Sequence, residues 1–443
     1  MTVSTTEAKK IAARALAQAK VGDLRVRVEG TTTGYTRFGE SMPTQSGDVD
    51  ELTVSVTATV KGGRHATVKG NRIDDAGLEN IVRQAEAMAE VAPPDPEHMP
   101  PLGRAKFMRV NAADKKVTAM GSAERTKIVE AAIGAGVGKG LVVSGFLEHT
   151  DRVVAVADRA GLSAAHHGTQ VELASTCRTA DGTGSSKHGV VSHLLGAIDG
   201  AKVAGEAAKW ALQSQKPVEL AAGKHTVVLA PQAVADLLDF LVESLGHREA
   251  FEGRTFFAAG DGKTKIGEAL FDTKIDLWSD PADRANPSSP IARDGRPHPR
   301  VEWVKGGRLV ALTAERFWAD KMKVPSRPEP SSLLMKGGKQ SLDELIASVD
   351  KGVLVTRFWY NRMLSRPQIL VTGMTRDGTF LIEGGKIAKP IKNMRYNESP
   401  VTMLARATAL GVATRAGLST QRVYVVPPVV VDGFHFDSVT DAV

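Results

Sequence analysis

A glycine-punctuated stretch near the C-terminus constrains the fold more than any other part of this chain. The stretch contains two glycine dipeptides, Asp377-Gly378 and Gly384-Gly385. Both can adopt the positive φ angles of two-residue hairpin turns. The flanking runs are rich in β-branched and aromatic residues, which favour strands. The stretch therefore predicts a β-meander whose strands occupy residues 353–360, 369–373 and 379–383.

A second clear pattern lies at residues 52–60, where apolar residues alternate strictly with threonine and serine. This period of two predicts an antiparallel strand with one apolar face and one hydroxyl face. Gly62-Gly63 follows, and such a dipeptide allows a tight turn. Residues 65–68 are therefore predicted to return as the partner strand.

The pattern changes near residue 217, and 443 residues are too many for one ordinary core. We predict an α+β fold with two domains: an N-terminal α+β domain at residues 1–216 and a β-rich C-terminal domain at residues 217–443. Many short strands in the second part favour a barrel or a sandwich. Local patterns in that part predict a helix at 233–247, a strand at 271–277 and a helix at 401–409.

Composition narrows the class of protein and its partners. The net charge is +7, but lysine and arginine are spread along the chain. The densest basic stretch, residues 284–308, is proline-rich, and we interpret it as a solvated loop. One cysteine excludes an internal disulfide and fits a reducing compartment. Without a secretory signal pattern or a long apolar run, we expect a cytoplasmic protein with neither a membrane nor a nucleic-acid partner.

Two glycine-rich motifs resemble nucleotide-binding loops but depart from them. In residues 134–140, lysine stands where the dinucleotide pattern needs a glycine, and in residues 260–264 the preceding Phe257 replaces the first glycine of a phosphate loop. The first motif is interpreted as a helix terminus. The adjacent pair His166-His167 is predicted to point to opposite sides of a strand, which prevents chelation of one metal.

Four segments of the chain carry a resemblance to a known family. They read VKGNRIDDAGLENIVRQAEAMAEVAPPDP at 68–96, TRFWYNRM at 356–363, GMTRDGTFLIE at 373–383 and KPIKNMRYNES at 389–399. These segments resemble the TldD/PmbA family, the paired bacterial proteins associated with zinc-dependent peptide processing, and they follow the family order across most of the chain. The resemblance implies an α+β N-terminal domain and a β-rich C-terminal domain, as the residue patterns also predict.

The family's catalytic branch carries HExxxH on a helix, with two histidines for zinc and a glutamate as general base. In the matching helix of this chain, Asp239 stands at the first histidine, Phe240 at the glutamate and Ser244 at the second histidine. Phenylalanine cannot accept a proton. The resemblance is therefore to the PmbA, or TldE, branch, and we expect no metal and no catalytic residue here, with zinc in a TldD-like partner.

One alternative metal set remains on the predicted helix. Asp239, Glu243 and His247 are spaced four residues apart and would share one helix face. Such a ladder is more often an ordinary polar face. The catalytic branch also uses a cysteine near its C-terminus, whereas Cys177 lies far upstream.

Three residues of the meander are candidates for contact with a peptide or a partner: Arg357, Tyr360 and Arg376. Arginine forks bind carboxylates in two-pronged geometry, so an inward face carrying them would hold a peptide carboxylate or a partner subunit. The competing interpretation is that this strand alternates its faces only for packing.

The sequence thus favours a non-catalytic subunit that joins a TldD-like partner and guides an extended peptide to it. The alternative is a stand-alone homodimer, either a peptide-binding protein or a repurposed enzyme of unidentified chemistry. A neighbouring gene encoding HExxxH would discriminate between them.

Overall fold

The computed structural model describes residues 3–20, 22–418 and 422–440, and its fold belongs to the predicted α+β class. The first part of the chain forms six strands and five helices. The strands are β1 Asp23–Gly39, β2 Met42–Thr59, β3 His65–Gly70, β4 Leu141–Asp158, β5 Ser163–Thr179 and β6 Ser185–Ser192. The helices are α1 Thr5–Ala17, α2 Asp75–Val91, α3 Lys115–Thr118, α4 Ser122–Val137 and α5 Gly200–Gln213, and a 3₁₀ turn spans Leu195–Ala197.

These strands form one antiparallel sheet in the order β3-β2-β1-β4-β5-β6. The predicted alternation at residues 52–60 is confirmed, because Val54 and Val56 are fully buried in a core that also contains Ile11 of α1 and Leu78 of α2. The predicted hairpin with β3 is also present. Helices thus cover the apolar face of the sheet and leave its hydroxyl-bearing face toward the rest of the protein.

The second part of the chain contains fifteen further strands among the described residues, many of them short. They are β7 Gly223–Leu229, β8 Ala258–Gly260, β9 Lys263–Thr264, β10 Leu277–Ser279, β11 Val301–Lys305, β12 Arg308–Leu309, β13 Ser332–Met335, β14 Lys351–Ser365, β15 Leu370–Glu383, β16 Lys386–Pro390, β17 Met394–Glu398, β18 Ala407–Leu410, β19 Thr414–Ala416, β20 Val423–Val426 and β21 Val429–Val439. The helices are α6 Pro231–Glu243, α7 His247–Phe251, α8 Arg316–Met322, α9 Leu342–Ala347 and α10 Pro400–Ala405, and a 3₁₀ turn spans Arg366–Gln368.

Five of these strands close into a barrel. The ring runs β14-β7-β21-β17-β15, and β15 pairs back with β14. The predicted barrel or sandwich is therefore a barrel. Its interior is aromatic, with the rings of Phe358 and Tyr396 at 4.5 Å and those of Phe358 and Phe434 at 5.5 Å between centroids.

A second, mixed sheet runs β12-β11-β10-β13-β20-β19. Helix α6 packs against β14 of the barrel and against β19 and β20 of this sheet. Its apolar residues Val234, Leu237, Leu238 and Leu241 are buried in the same core as the barrel interior. This packing holds α6 in place, because a movement of the helix would break apolar contacts with both the barrel and the second sheet.

The six strands of the first sheet end before residue 193, and the strands of the barrel and the second sheet begin at residue 223. The predicted domain division at residue 217 lies between them and stays a prediction. The two parts touch where the Ser186 hydroxyl of β6 donates to the Asp377 carbonyl of β15 at 2.7 Å.

One predicted turn is wrong. Asp377-Gly378 lies inside β15 as a bulge opposite Thr356, with the register passing from Val355↔Thr379 to Arg357↔Arg376. The dipeptide has positive φ at both residues, as a hairpin turn requires, but the Thr356 hydroxyl donates to the Gly378 carbonyl at 2.9 Å and the strand continues. The predicted turn at Gly384-Gly385 does connect β15 to β16.

The predicted helix at 233–247 is also wrong at its C-terminal end, because α6 stops at Glu243. Ser244 donates from its hydroxyl to the Phe240 carbonyl at 2.8 Å, and the backbone then becomes extended at Gly246. The His247 amide donates to the Thr313 carbonyl at 2.8 Å. This tertiary pairing draws the chain away from the helix axis, and His247 begins the separate helix α7.

Two shorter predictions fail for similar reasons. Of the predicted strand at 271–277, only Leu277 belongs to a strand, the first residue of β10. The predicted helix at 401–409 ends at Ala405, because Ala407 pairs with Val431 of β21. Within the described ranges, the helices are too short or too polar to cross a membrane.

Candidate functional site

A cleft of about 2200 Å³ lies along the hydroxyl-bearing face of the first sheet. One wall consists of alternate residues of β1, β2, β4 and β5, and the other is built mainly by residues 286–298 and 328–332. Thr53, Ser55 and Thr57, the hydroxyl face predicted from the sequence, line this wall. The cleft is therefore polar and long, and the candidate site lies where α6 and β20 approach it.

Helix α6 carries four polar residues, Gln232, Asp236, Asp239 and Glu243, spaced four, three and four apart, which places them on one helix face. Asp236 accepts hydrogen bonds from the Gln232 amide and from the backbone amide of Phe358, both at 2.8 Å. Burial raises the pKa of Asp236 to about 6, although the positive charge of Arg357 opposes that rise. The inner end of this polar face thus anchors α6 to β14.

The first motif position, Asp239, is bound by a cation of the protein itself. Arg422 donates from Nη1 to Asp239 at 3.3 Å, from Nη2 to Glu329 at 3.3 Å and from Nε to the Pro330 carbonyl at 3.0 Å. The Tyr424 hydroxyl also donates to Asp239. The side chains of Arg422 and Asp239 are only 11% and 14% exposed. A buried guanidinium therefore balances the carboxylate that the sequence resemblance aligns with the first histidine of HExxxH.

The other two motif positions carry no side chain that is free to bind a metal: Phe240 is apolar, and the Ser244 hydroxyl donates to a backbone carbonyl. Phe240 packs against the main core, and the Ser244 hydroxyl is buried against the turn that ends α6. Zinc requires three or four nitrogen, sulfur or oxygen ligands in tetrahedral geometry. Asp239, Phe240 and Ser244 do not fit a zinc ion, and no group of three or more metal-binding side chains is found among residues 3–20, 22–418 and 422–440.

The alternative ladder of Asp239, Glu243 and His247 is also ruled out as one helix face, since His247 lies on α7. Its Nδ1 accepts a hydrogen bond from Trp318 Nε1 at 2.9 Å, and the imidazole is buried. Glu243 stays near Asp239. Burial, followed by the charge of Asp239, raises the pKa of Glu243.

Cys177 lies in the core beneath the first sheet and forms no disulfide. Burial raises the pKa of its thiol to about 11, so the thiol stays protonated at neutral pH. This environment is that of a structural cysteine, as opposed to a nucleophile or a metal ligand.

The structure brings together two of the three meander residues. Arg357 and Arg376 are paired across β14 and β15, and their guanidinium carbons lie 5.2 Å and 5.8 Å from the Trp359 ring centre. Arg357 is buried and lies 3.6 Å from the Asp377 carboxylate. Both arginines thus contact the same aromatic ring from β14.

Tyr360, the third meander residue, has a different setting. The residue is 62% exposed, and its ring centre lies 4.7 Å from the Arg362 guanidinium. The backbone has φ +57° at a bulge in β14, a conformation that is strained for a residue with a Cβ. An exposed aromatic ring on a strained backbone is typical of a contact surface.

Sequence reasoning missed a charged group on the cleft wall. Glu148 of β4 and Glu172 of β5 are directly opposite each other and both line the cleft. Burial, and then the charge of Glu148, raises the pKa of Glu172 to about 7. Nearby Lys187 has a pKa lowered by burial and by the charge of Arg357. Only the strand register reveals this arrangement, since the two glutamates are far apart in sequence.

The histidine pair behaves as predicted. His166 lines the cleft, whereas His167 donates from Nε2 to the buried carboxylate of Asp151 at 2.8 Å. Burial lowers the pKa of His166 to about 4, so its imidazole is neutral at physiological pH. The two rings point to opposite sides of the sheet.

The basic stretch at 284–308 is tied to the protein at several points. Arg296 is buried and donates to the Asp294 carboxylate and to the Ala314 carbonyl at 2.9 Å. Arg308 donates to the Gly267 carbonyl at 2.9 Å. The interpretation of the stretch as a solvated loop is therefore wrong in part, because Arg296 is buried and Val301–Lys305 form β11.

Comparisons with known proteins agree with this architecture. A family model for the PmbA/TldA metallopeptidase C-terminal domain matches residues 222–438. Among solved structures, TldE from Thermococcus kodakarensis superposes with a TM-score of 0.86 at 15% identity, covering 98% of this chain and 100% of that chain. These values show a shared fold over nearly the whole length.

Two further structures, each described as a proposed modulator of DNA gyrase, have the same fold. The one from Bacteroides thetaiotaomicron gives a TM-score of 0.84 at 19% identity and covers 98% of this chain and 99% of that chain. The one from Thermotoga maritima gives 0.83 at 16% identity, with 97% and 100% covered. None of the curated proteins matches the chain.

Proposed function

Because this chain belongs to the PmbA/TldD metallopeptidase family, we propose that it is the non-catalytic, TldE-like subunit of a two-protein peptidase. In this role it binds an unfolded peptide and guides it to a TldD-like partner. The partner carries the zinc and performs the hydrolysis. The chain itself contributes binding and positioning.

The Arg422–Asp239 ion pair is the observation that carries this proposal. A catalytic zinc site needs ligands and a base at these positions. Here a carboxylate is balanced by a buried guanidinium, and Phe240 replaces the base. Because this set lacks both the zinc ligands and the glutamate base, we assign amide hydrolysis to another subunit.

The cleft supports binding of an extended peptide. Its volume of about 2200 Å³ exceeds that of a small-molecule pocket. In addition, β3 pairs only with residues 54–59 of β2, so residues 42–49 of β2 present an outer edge without a strand partner among the described residues. A peptide added to such an edge is held by main-chain hydrogen bonds, which tolerate many sequences.

We propose that Trp359 and Tyr360 belong to a surface that contacts the partner or the peptide. Arg357 and Arg376 are included in this surface because both contact the Trp359 ring. Tryptophan, tyrosine and arginine are the residues most enriched at the centres of protein interfaces. Tyr360 and Trp359 are both exposed, whereas Arg357 is buried and contacts the Trp359 ring from beneath.

The direct test is co-expression with a TldD-like protein that carries HExxxH. We expect a heterodimer by mass measurement and cleavage of an unfolded peptide only by the pair. A partner whose HExxxH glutamate is replaced by glutamine serves as the control, and this pair is expected to bind without cleaving. Cleavage by this chain alone, after its removal from any partner and treatment with a chelator, would contradict the proposal.

A further inference from the structure

Arg415 and His193 meet in the cleft from different parts of the chain. Arg415 lies on the short strand β19, which pairs with β20. His193 directly follows β6 of the first sheet, and its backbone carbonyl accepts a hydrogen bond from the Thr169 hydroxyl at 2.9 Å. Both side chains line the cleft. The two groups are therefore held by separate elements at one place on its wall.

The hydrogen bonds fix which atoms can still donate. Arg415 donates from Nε to the Ala285 carbonyl at 2.8 Å, and its Nη2 lies 3.4 Å from His193 Nδ1. Because a guanidinium can only donate, Nδ1 is the acceptor and the proton of the neutral imidazole lies on Nε2. Nη1 of Arg415 and Nε2 of His193 thus remain as donors.

Arg415 differs from Arg422 and Arg152, two other arginines of the cleft, in the charge around it. Arg422 contacts two carboxylates and Arg152 contacts Glu29, whereas Arg415 has no ion pair among the described residues. Burial lowers its pKa, and no acidic group opposes that effect. A half-buried cation without a counter-charge is unfavourable, so an anion that enters the cleft gains a strong, charge-assisted hydrogen bond here.

We infer that Arg415 and His193 form a carboxylate-binding subsite that holds a bound peptide by its C-terminal carboxylate or by an acidic side chain. One guanidinium and one neutral imidazole supply a single positive charge, which matches a monoanion. This inference rests on the proposed function, since it assumes that the cleft binds peptide. It adds a charge preference and a fixed orientation to that binding.

The test uses the full chain and a fluorescein-labelled unfolded peptide without aspartate or glutamate, in three forms. The first has a free C-terminal carboxylate, the second a C-terminal amide, and the third the amide with one internal glutamate. Fluorescence anisotropy gives each Kd. We expect the free acid or the glutamate peptide to bind at least about tenfold more tightly than the plain amide. Which of the two does so identifies the source of the carboxylate.

Arg415→Gln should abolish this difference while leaving the amide peptide unaffected, and Arg415→Lys should retain part of it because the charge remains without the fork. Arg14→Gln, at a surface ion pair with Asp75, is the control and should keep the full difference. Thermal denaturation checks that each variant is folded. Equal binding of all three peptides to the wild-type chain overturns the subsite but leaves peptide binding intact. Binding of none overturns both proposals.

Discussion

Arg422 lies 3.3 Å from Asp239 although 183 residues separate them in the sequence, and both side chains are largely buried. The pair places a permanent positive charge beside the position that, in the catalytic branch, faces a metal. A guanidinium cannot be deprotonated in a protein and cannot act as a Lewis acid. Asp239 is thus bound by groups of the protein itself, which supports the proposal that this carboxylate has no part in zinc-dependent hydrolysis.

Removal of this arginine should be costly for the fold. Arg422→Met leaves the Asp239 carboxylate buried without its arginine, and loss of one partner of a buried pair typically destabilises by about 3 kcal/mol or more. Chemical denaturation measures the change in the free energy of unfolding. Arg14→Met breaks an exposed pair with Asp75 and should cost less than about 1 kcal/mol. Equal effects of the two variants would show that the Arg422 pair is not a structural anchor.

The same pair can be tested for coupling. Arg422→Met combined with Asp239→Asn removes both charges, so the double variant should be more stable than Arg422→Met alone. A double-mutant cycle gives the coupling free energy, which we expect to be about 1 kcal/mol or more for two groups in direct contact. Strict additivity would contradict a direct interaction.

Glu172 should make stability depend on pH. Its pKa is raised from 4.5 to about 7 by burial and by Glu148, so the folded state holds the proton more tightly than the unfolded state. The stabilisation from this group is present below about pH 4.5 and is lost as the pH rises toward 7. The free energy of unfolding of wild type minus that of Glu172→Gln should therefore fall across this range. A flat or rising difference would exclude the raised pKa.

Tyr360 should matter for partner binding more than for folding. Tyr360→Gly removes the exposed ring and suits the positive φ of +57°, so thermal stability should stay unchanged or increase slightly. If the ring is a central interface contact, affinity for the TldD-like partner falls by about tenfold or more. Titration of the two proteins by calorimetry gives the affinity. An unchanged Kd would remove Tyr360 from the interface.

The local patterns predicted elements well where the signal was itself local. The alternation at 52–60 predicted a half-buried strand, and the structure buries Val54 and Val56 while the hydroxyl residues line the cleft. The repeated strand signals predicted a β-rich second part, and β14–β15 pairing closes it into a barrel.

Errors arose where a distant contact decides the local conformation. Asp377-Gly378 has the φ angles of a turn, yet Thr356 on the neighbouring strand holds it as a bulge. The end of α6 depends on the pairing of Gly246 and His247 with Thr313. For the site, the sequence identified Asp239 as a departure from the family motif. It could not identify Arg422 as the partner of that carboxylate, because no local signal connects them.

The zinc content of the purified full chain tests the central claim most directly. The protein is expressed alone, dialysed against buffer with zinc and then against metal-free buffer, and analysed by mass spectrometry of the metal together with a peptide-cleavage assay. We expect far less than one zinc per chain and no cleavage, because Asp239, Phe240 and Ser244 do not form a ligand set. One tightly bound zinc per chain, accompanied by cleavage that Asp239→Asn abolishes, would contradict a non-catalytic role.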